Sequence, residues 1–389
     1  TSERGSILVR PDNGPPTRIP VADVTALLLG PRACFSNAVL HRLLHSDVVV
    51  MFCDWRGVPE GAAYPWSSHT RIGARQLAQA RLSVPRQKNA WGRIVKAKVL
   101  GQSIVLGRAD AQAACRLREM SRKVRSGDPE NIEAHAARLY WSRIFQGEER
   151  FLRDPSAEDN RNNCLNYGYG VLRAHGVRAV VSAGLNPALG LFHHGRSNAF
   201  NLVDDLIESF RPAVDDAVLS LEPGDSLEDR AVKQQLVAAV QQSFNSTGAS
   251  LPTVLERLAQ HLGQYCEGDR NRLEVPSWEG PRRGDDDPMW CLVMFDLPVL
   301  TKRQRSEATR FRHFLLDEGF WMAQYSVYVR YSPTVSGEPR RIRAIKTALP
   351  DGGEVRVLYV TDREWSTMLC FRDEAPVAPD PAPQQLTIF

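Results

Sequence analysis

The segment from Gly190 to Pro212, GLFHHGRSNAFNLVDDLIESFRP, sets His193 fifteen positions ahead of Glu208, and Glu208 is spaced to share a helical face with Asp204 and Asp205. An imidazole followed by clustered carboxylates is a donor set for a divalent cation. Asn201 reads as an N-cap with Asp204 three residues on, so 202–210 is expected to be helical. Leu202, Val203, Leu206, Ile207 and Phe210 then make a buried stripe, and Asp204, Asp205 and Glu208 fall on the other side. Two readings stand open on these residues: two-thirds of a metal site, or a solvated acidic face beside a loop histidine.

A third ligand is offered by Glu133, in GDPENIEAHAARLYWSRIF. Here Asp128 is expected to cap a helix with Pro129 in its first position. Ile132, Ala136, Leu139, Tyr140 and Ile144 form the apolar stripe, and Glu133 lines up with Ala137, Tyr140 and Ile144 at helical spacing. A carboxylate on a buried face needs a cation, an arginine partner or a shifted pKa. Arg138, Arg143, Arg173 and Arg211 are the candidate arginine donors, in which case Glu133 is one half of an internal ion pair.

Taken together, these residues resemble a known family, the integrase subunit that inserts new spacers into CRISPR arrays (CRISPR-associated protein one). The resemblance spans roughly residues 5 to 275. It runs through IPVADVTALLLG, DVVVMFCDWRG, KNAWGRIVKAKVLGQ, IEAHAARLYW, NNCLNYGYGVLRAHG, GLFHH, DLIESFRP and GDRNRLEVP. It implies that Glu133, His193 and Glu208 hold the catalytic metal, with Asp205 in an auxiliary acidic position. His193 is preferred to His194 because it closes the Gly-x-x-His pattern that begins at Gly190.

From Met289 onward the order reads strand, helix, strand, strand, helix, strand. Residues 290–297, 324–331 and 354–361 are rich in β-branched and aromatic types, while 306–316 and 340–349 carry helical spacing. That order suggests a small ferredoxin-like domain. FDLP, QYSVYVR and VRVLYVTD are similar to the companion subunit of the same system, CRISPR-associated protein two, in a type II-like form. The expected fold class is therefore α+β and multidomain. A β-rich dimerisation domain at 1–82 precedes an α-helical, metal-dependent catalytic domain at 83–274. A Pro, Gly and charge-rich linker at 275–288 leads to a ferredoxin-like bridging domain at 289–374, and a Pro-rich tail at 375–389 ends in a short docking strand. Within the helical part, Ser226 to Asp229 reads as a capping box, and Val254, Leu255, Leu258, Leu262 and Tyr265 as a core stripe. Met289 could once have been a start codon, so the joint is a natural or an engineered fusion. The chain opens at Thr1 and is expected to lack about one strand that the family has there.

Composition narrows the setting. A chain of 389 residues with 43% hydrophobic content can build two or three cores, and a net charge of +4 leaves nucleic-acid binding to local patches. One such patch is Arg71, Arg75, Arg81, Arg86, Arg93, Lys96, Lys98, Arg116, Arg118, Arg122, Lys123 and Arg125; another is Lys302, Arg303, Arg305, Arg340, Arg341, Arg343 and Lys346. The seven cysteines, at 34, 53, 115, 164, 266, 291 and 370, include no CxxC pair, which argues against a zinc site or disulfide framework. With no signal peptide and no apolar run of about 18 residues, a cytoplasmic protein with reduced thiols is expected.

The chemistry that the resemblance implies is strand transfer, in which the 3′-hydroxyl of a captured duplex attacks a phosphodiester at a repeat border. Two carboxylates suit Mg²⁺, and the imidazole suits Mn²⁺ equally well. Arg196 is a candidate phosphate contact. Asp296 in FDLP reads either as a second metal ligand across a dimer or, preferably, as a strand-end carboxylate that caps the turn before Pro298. The expected partners are double-stranded DNA, further copies of the chain (integrase dimers bridged by a ferredoxin-like dimer) and other proteins of the CRISPR locus. The alternatives are a metal-dependent nuclease of repair or degradation, and a non-catalytic DNA-binding scaffold. The scaffold requires Glu133, His193 and Glu208 to lie too far apart to share an ion.

Overall fold

Short alternating segments at the start of the chain form strands, and long apolar-periodic segments after residue 70 form helices. The structure, a computed structural model, describes all residues except 1, 4, 12–14, 22–23, 55–58, 66–70, 146–150, 158, 223, 247, 282–288, 333–337, 369, 373–374 and 378–389. β1 (Ser2–Glu3), β2 (Ser6–Val9) and β3 (Thr17–Pro20) make an antiparallel sheet. β4 (Ala26–Leu29), the helix α1 (Asn37–His45), β5 (Val49–Cys53) and β6 (Pro59–Ala63) follow. β5 is the middle strand of a second sheet, parallel to β4 and antiparallel to β6. The helices are then α2 (Ile72–Ala80), α3 (Val84–Leu106), α4 (Ala111–Lys123), α5 (Ile132–Trp141), α6 (Asn160–Ser182), α7 (Asn201–Ile207), α8 (Arg211–Leu219), α9 (Arg230–Gln241) and α10 (Leu251–Glu267). The described residues group into two compact units. Those within 1–25, 34–46 and 282–386 form one, and those within 26–33 and 47–281 form the other.

The helical unit is organised by two long helices. α6 packs against α7, α8, α9 and α10, and its glycines make the approach possible. A Cβ at Gly168 would stand 2.5 Å from Val214 Cγ1, and one at Gly176 would stand 2.7 Å from Val203 Cγ1. α3 buries Ala90, Trp91, Ile94, Val95, Lys98, Val99, Gln102 and Val105 among its neighbours, so it is enclosed on most sides. Several helix starts are set by local chemistry. Asp110 accepts from Ala113 N, Asp159 from Asn162 N and Ser250 from Thr253 N, and Gly268 ends α10 at φ +90°.

Some local expectations are corrected. Ser226 and Asp229 do not form a capping box. The Ser226 hydroxyl accepts from Glu228 N inside a turn that precedes α9, and the Asp229 side chain makes no cap bond. In the expected linker, Trp278 is buried in the helical core with its ring 5.6 Å from that of Phe244, so the chain up to that point straps the core.

The C-terminal sheet comprises β7 (Met289–Asp296), β8 (Trp321–Gln324), β9 (Val327–Ser332) and β10 (Glu354–Thr361), in the order β10-β7-β9-β8 and antiparallel throughout. α11 (Lys302–Asp317) and α12 (Glu338–Thr347) are the two connecting helices. Period two divides β7 cleanly. Cys291, Val293 and Phe295 pack with Phe311, Leu315 and Ile345, and Trp290 on the other face stacks on Trp365. α11 starts earlier than its periodicity suggests because Thr301 and Gln304 form a capping box. The expected strand at 324–331 is interrupted by a turn at Tyr325 and Ser326, where Ser326 takes φ +62°. After α13 (Asp362–Ser366), β11 (Cys370–Arg372) pairs with β12 (Ala375–Val377). The expected docking strand at the end of the tail lies outside the described residues.

His175, buried on α6, carries an unpaired Nδ1, and burial, aided by Arg178, pushes its pKa down from 6.5 to about 4. Its neutral form is the folded form, so stability holds above pH 6.5 and falls as the pH drops from 6.5 towards 4, where the unfolded chain takes up the proton first. Urea unfolding followed by circular dichroism at pH 7 and pH 4.5 should show a loss about 2 to 3 kcal/mol larger in the native chain than in His175→Gln. Equal losses would mean that His175 does not carry this dependence.

Candidate metal centre

The site is assembled where α3, α5, the 190–200 loop and the α7–α8 junction meet. α7 is shorter than its stripe suggests. Pro212 has no N–H to give the Glu208 carbonyl, and the chain passes through tight turns at 208–210 into α8. Asn201 lies inside α7 and is not its cap. Its amide donates to the carbonyls of Ala188, Gly195 and Asn198 and accepts from Gly195 N, which braces the loop that carries the histidines. The three acids of this segment do not share a solvated face. Asp205 is 0% exposed and Glu208 4%, while Asp204 pairs with Arg173 at 2.8 Å and accepts from Asn198.

Asp205 is the organiser of the histidine loop. Its carboxylate accepts from Leu191 N (2.6 Å), Phe192 N (3.0 Å) and His193 N (3.3 Å), and its Oδ1 lies 2.6 Å from His193 Nδ1. Gly190 is required for this approach, since a Cβ there would sit 2.2 Å from the His193 carbonyl. The Asp205 hydrogen bond, opposed by burial and reinforced by the charges of Asp205, Glu208 and Glu133, raises the His193 pKa above its ordinary value. With Nδ1 committed to Asp205, Nε2 is the nitrogen left for a ligand. The ring is also set by packing. Phe192 stacks on Trp91 of α3 with centroids 4.4 Å apart, and His193 meets Trp91 edge-on at 5.7 Å.

Glu133 stands in the first turn of α5. Asp128 holds that end, accepting from Ile132 N and Glu133 N, but it does so from before the helix. Asn131, at φ +50°, is the N-cap, and Pro129 lies in the preceding turn. None of the four expected arginines pairs with Glu133. Its partner is Lys98, whose Nζ lies 2.6 Å from Glu133 Oε1 and 2.6 Å from Glu208 Oε2. Burial acts to lower the Lys98 pKa, but Glu208 and Glu133 outweigh it, and the ammonium titrates above its usual range. Glu208 shows the mirror effect. Burial acts against its charge, yet Arg211 at 3.1 Å and Lys98 hold its pKa below the ordinary value. Behind it, the Arg211 guanidinium lies over the Tyr169 ring at 4.8 Å. The Tyr169 and Tyr140 hydroxyls both donate to buried Asp215, whose pKa burial pushes up to about 6.

Lys98 is the residue that sequence reasoning misplaced. Grouped with a basic nucleic-acid-binding patch, it is buried, as is Arg75, bound to Glu267 and the Ala183 carbonyl, while Arg86 is half-buried and donates to the Arg270 carbonyl. The available signal was its place on a buried stripe, seven residues after Trp91 and one turn before Gln102. Arg116, Arg118, Arg122 and Lys123 of that patch are exposed on α4, and Arg196 is exposed beyond the histidines.

Glu133 and Glu208 therefore meet on the Lys98 ammonium, and their charges act on His193. Among the described residues, no group of three or more His, Cys, Asp or Glu is gathered closely enough to hold a metal ion. Asp296 ends β7 opposite Glu354 and is exposed. Arg343 is exposed on α12, Arg341 donates to the Ser332 hydroxyl, and the side chain of Arg340 lies outside the described residues. No helix among the described residues is long and apolar enough to cross a membrane.

Comparison with known proteins identifies the frame. Residues 1–240 match the family CRISPR associated protein Cas1. The chain belongs to that family. Residues 289–368 match CRISPR associated protein Cas2, so a Cas1 domain is fused to a Cas2 domain, a pairing that supports a function in CRISPR adaptation. The CRISPR-associated endonuclease Cas1 of Neisseria meningitidis is 34% identical over 249 residues, covering 63% of this chain and 78% of that protein. The CRISPR-associated endoribonuclease Cas2 of Paracidovorax avenae is 41% identical over 101 residues, covering 26% of this chain and 94% of that protein. In fold, the chain is similar to a casposase bound to integration product, with a TM-score of 0.59 at 18% identity, covering 72% of this chain and 91% of that one. It is likewise similar to a Cas1 protein from Thermotoga maritima, with a TM-score of 0.55 at 17% identity, covering 73% and 96%. The whole is a mixed α+β multidomain chain, with a Cas1-like fold followed by a small sheet domain.

Removing the Asp205 carboxylate would strand three backbone N–H groups and the His193 ring. Asp205→Ala should therefore lose about 3 kcal/mol or more in urea unfolding, and Asp205→Asn less. A loss below about 1 kcal/mol in the alanine variant would show that the loop is held by other means.

Proposed function

We propose that the chain is a CRISPR adaptation integrase that joins the 3′-hydroxyl ends of captured DNA to the repeat borders of an array in a divalent-metal-dependent reaction. The observation that carries this reading is that Glu133 and Glu208, 75 positions apart in the chain, converge on one cation at 2.6 Å each, beside a histidine whose Nε2 is left for a ligand. A scaffold without chemistry would have no need to bring these two carboxylates together.

The donor set fits the ion. Glu208 Oε2 is buried and meets Lys98 at 2.6 Å, an oxygen already placed to hold a cation, and two carboxylates with one imidazole suit Mg²⁺ or Mn²⁺. Glu133, His193 and Glu208 would hold it. When bound, such an ion favours ionisation of an attacking hydroxyl and offsets charge at the phosphorus. The 3′-oxygen of the incoming strand forms the new P–O bond, the P–O3′ bond of the target strand breaks, and the hydroxyl proton passes to solvent. Asp205 fixes the His193 tautomer through Nδ1, and Arg211 keeps Glu208 ionised. Arg196 and the exposed cations of α4 are positioned by sequence and exposure to meet phosphate oxygens.

The C-terminal domain has the strand and helix order of a ferredoxin-like fold, and we read residues 289–374 as the bridging part of an assembly of several copies on double-stranded DNA. Asp296 takes no chemical part in this reading, and its place at a strand end suits a turn. Lys302, Arg303, Arg305, Arg343 and Lys346 supply the cations for backbone contacts.

The test is joining of a short duplex with 3′-hydroxyl ends to a supercoiled plasmid that carries a repeat locus. Joining should require Mn²⁺ or Mg²⁺, stop with EDTA, and fall by about a hundredfold or more in Glu133→Ala and His193→Ala, with duplex binding retained. Undiminished joining in either variant would overturn the assignment, and cutting without joining would favour the nuclease.

A further inference from the structure

We propose that Lys98 is an internal cation that holds Glu133 and Glu208 in the metal-free enzyme and must leave its place when a divalent ion binds. This rests on the metal-site reading above. Lys98 is 9% exposed and touches one oxygen of each carboxylate at 2.6 Å, so it occupies the place at which the two ligands converge. The cluster is already largely compensated without a metal. Glu133 and Glu208 face one ammonium and one guanidinium, and Asp205 beside a neutral His193 adds one negative charge, so a divalent ion added on top would leave one uncompensated positive charge.

Of the two cations, the ammonium is the one placed to go. Arg211 binds the other oxygen of Glu208 and is held over the Tyr169 ring. Lys98 Nζ donates to Glu133 Oε1 and lies 2.6 Å from Glu208 Oε2, two charge-assisted contacts made by a single rotatable ammonium. A lysine is also a point charge on a flexible stem, able to withdraw where a planar guanidinium stacked on a ring is not. Affinity for the divalent ion is then set partly by this competition. The metal-free protein avoids two facing, unscreened carboxylates at the expense of a weaker metal site.

The test uses the full chain and Mn²⁺, with free Mn²⁺ followed by electron paramagnetic resonance. Lys98→Met keeps the length and apolar stem of the side chain and removes the charge. It should bind Mn²⁺ about tenfold or more tightly than the native chain, and it should melt at a lower temperature without metal and recover with Mn²⁺. Glu133→Gln should lose the site. Unchanged or weaker binding in Lys98→Met, with the native site present and lost in Glu133→Gln, overturns this inference and leaves the metal site standing. Identical binding by the native chain and Glu133→Gln overturns both. A second measurement covers a variant that does not fold. In the native chain, acetylation of Lys98, mapped by mass spectrometry, should rise severalfold when Mn²⁺ is added, and an unchanged extent would also overturn the inference.

Discussion

The contact on which the centre depends is the ammonium of Lys98 between a buried carboxylate, Glu208, and a partly exposed one, Glu133. An ionised glutamate is expensive to remove from water, and two that face each other are more so unless a cation stands between them. That requirement fixes three parts of the chain at once. α3 must present Lys98 inward, α5 must bring its first turn to it, and the junction of α7 and α8 must bring Glu208 from the other side. The glycines of α3 and α6 serve the same end. Gly101, three residues after Lys98, lacks the Cβ that would meet Pro212 Cγ at 2.9 Å. Without that space the start of α8, and with it Arg211, could not lie against α3.

Around this pair the protein builds two supports of different kinds. On the histidine side, Asp205 gathers three backbone N–H groups and one ring nitrogen, so the loop is held by a fully satisfied buried acceptor. On the Glu208 side, the support is a chain of contacts from Arg211 to Tyr169 to Asp215, with Tyr140 closing it from α5. Asp215 and Arg211 are one turn apart on α8, so the helix that supplies the arginine also supplies the acceptor that positions the ring beneath it. Such networks are costly when partly satisfied, which makes their geometry more restrictive than packing alone.

What the sequence made legible was residue type and element kind. The spacing of His193 to Glu208, the carboxylate of Glu133 at the start of a helix and the alternation of β7 all carry local signals, and the helix of Glu133 and the strand β7 stand where those signals put them, whereas Glu208 falls in the turn that ends a shortened α7. What it hid was partner identity. A lysine inside KAKVLGQ looks like one more member of a basic surface, because periodicity places it near the core but says nothing of which distant acids reach it. Asn201 and Asp128 show the same limit at helix ends. Both are cap-forming types near a helix start, yet one braces a loop and the other caps from outside, because tertiary hydrogen bonds outcompeted the local motif. Trp278 was concealed by its neighbours, since a segment rich in Pro, Gly and charge reads as linker until one large ring finds a core.

The two carboxylates at the centre are not equivalent, and the asymmetry bears on how the site can exchange cations. Glu208 has two positive partners and Glu133 has one, so removal of the ammonium leaves Glu208 still compensated by Arg211 and leaves Glu133 facing the centre alone. Glu133 is also the more exposed of the two, with 22% of its side chain accessible against 6% for Glu208. An incoming ion would therefore meet a carboxylate that is open to solvent and singly held before it meets one that is buried and doubly held. The same ordering explains why the buried carboxylate, not the accessible one, carries the arginine: a carboxylate largely shielded from water needs a counter-charge that does not depend on a mobile cation.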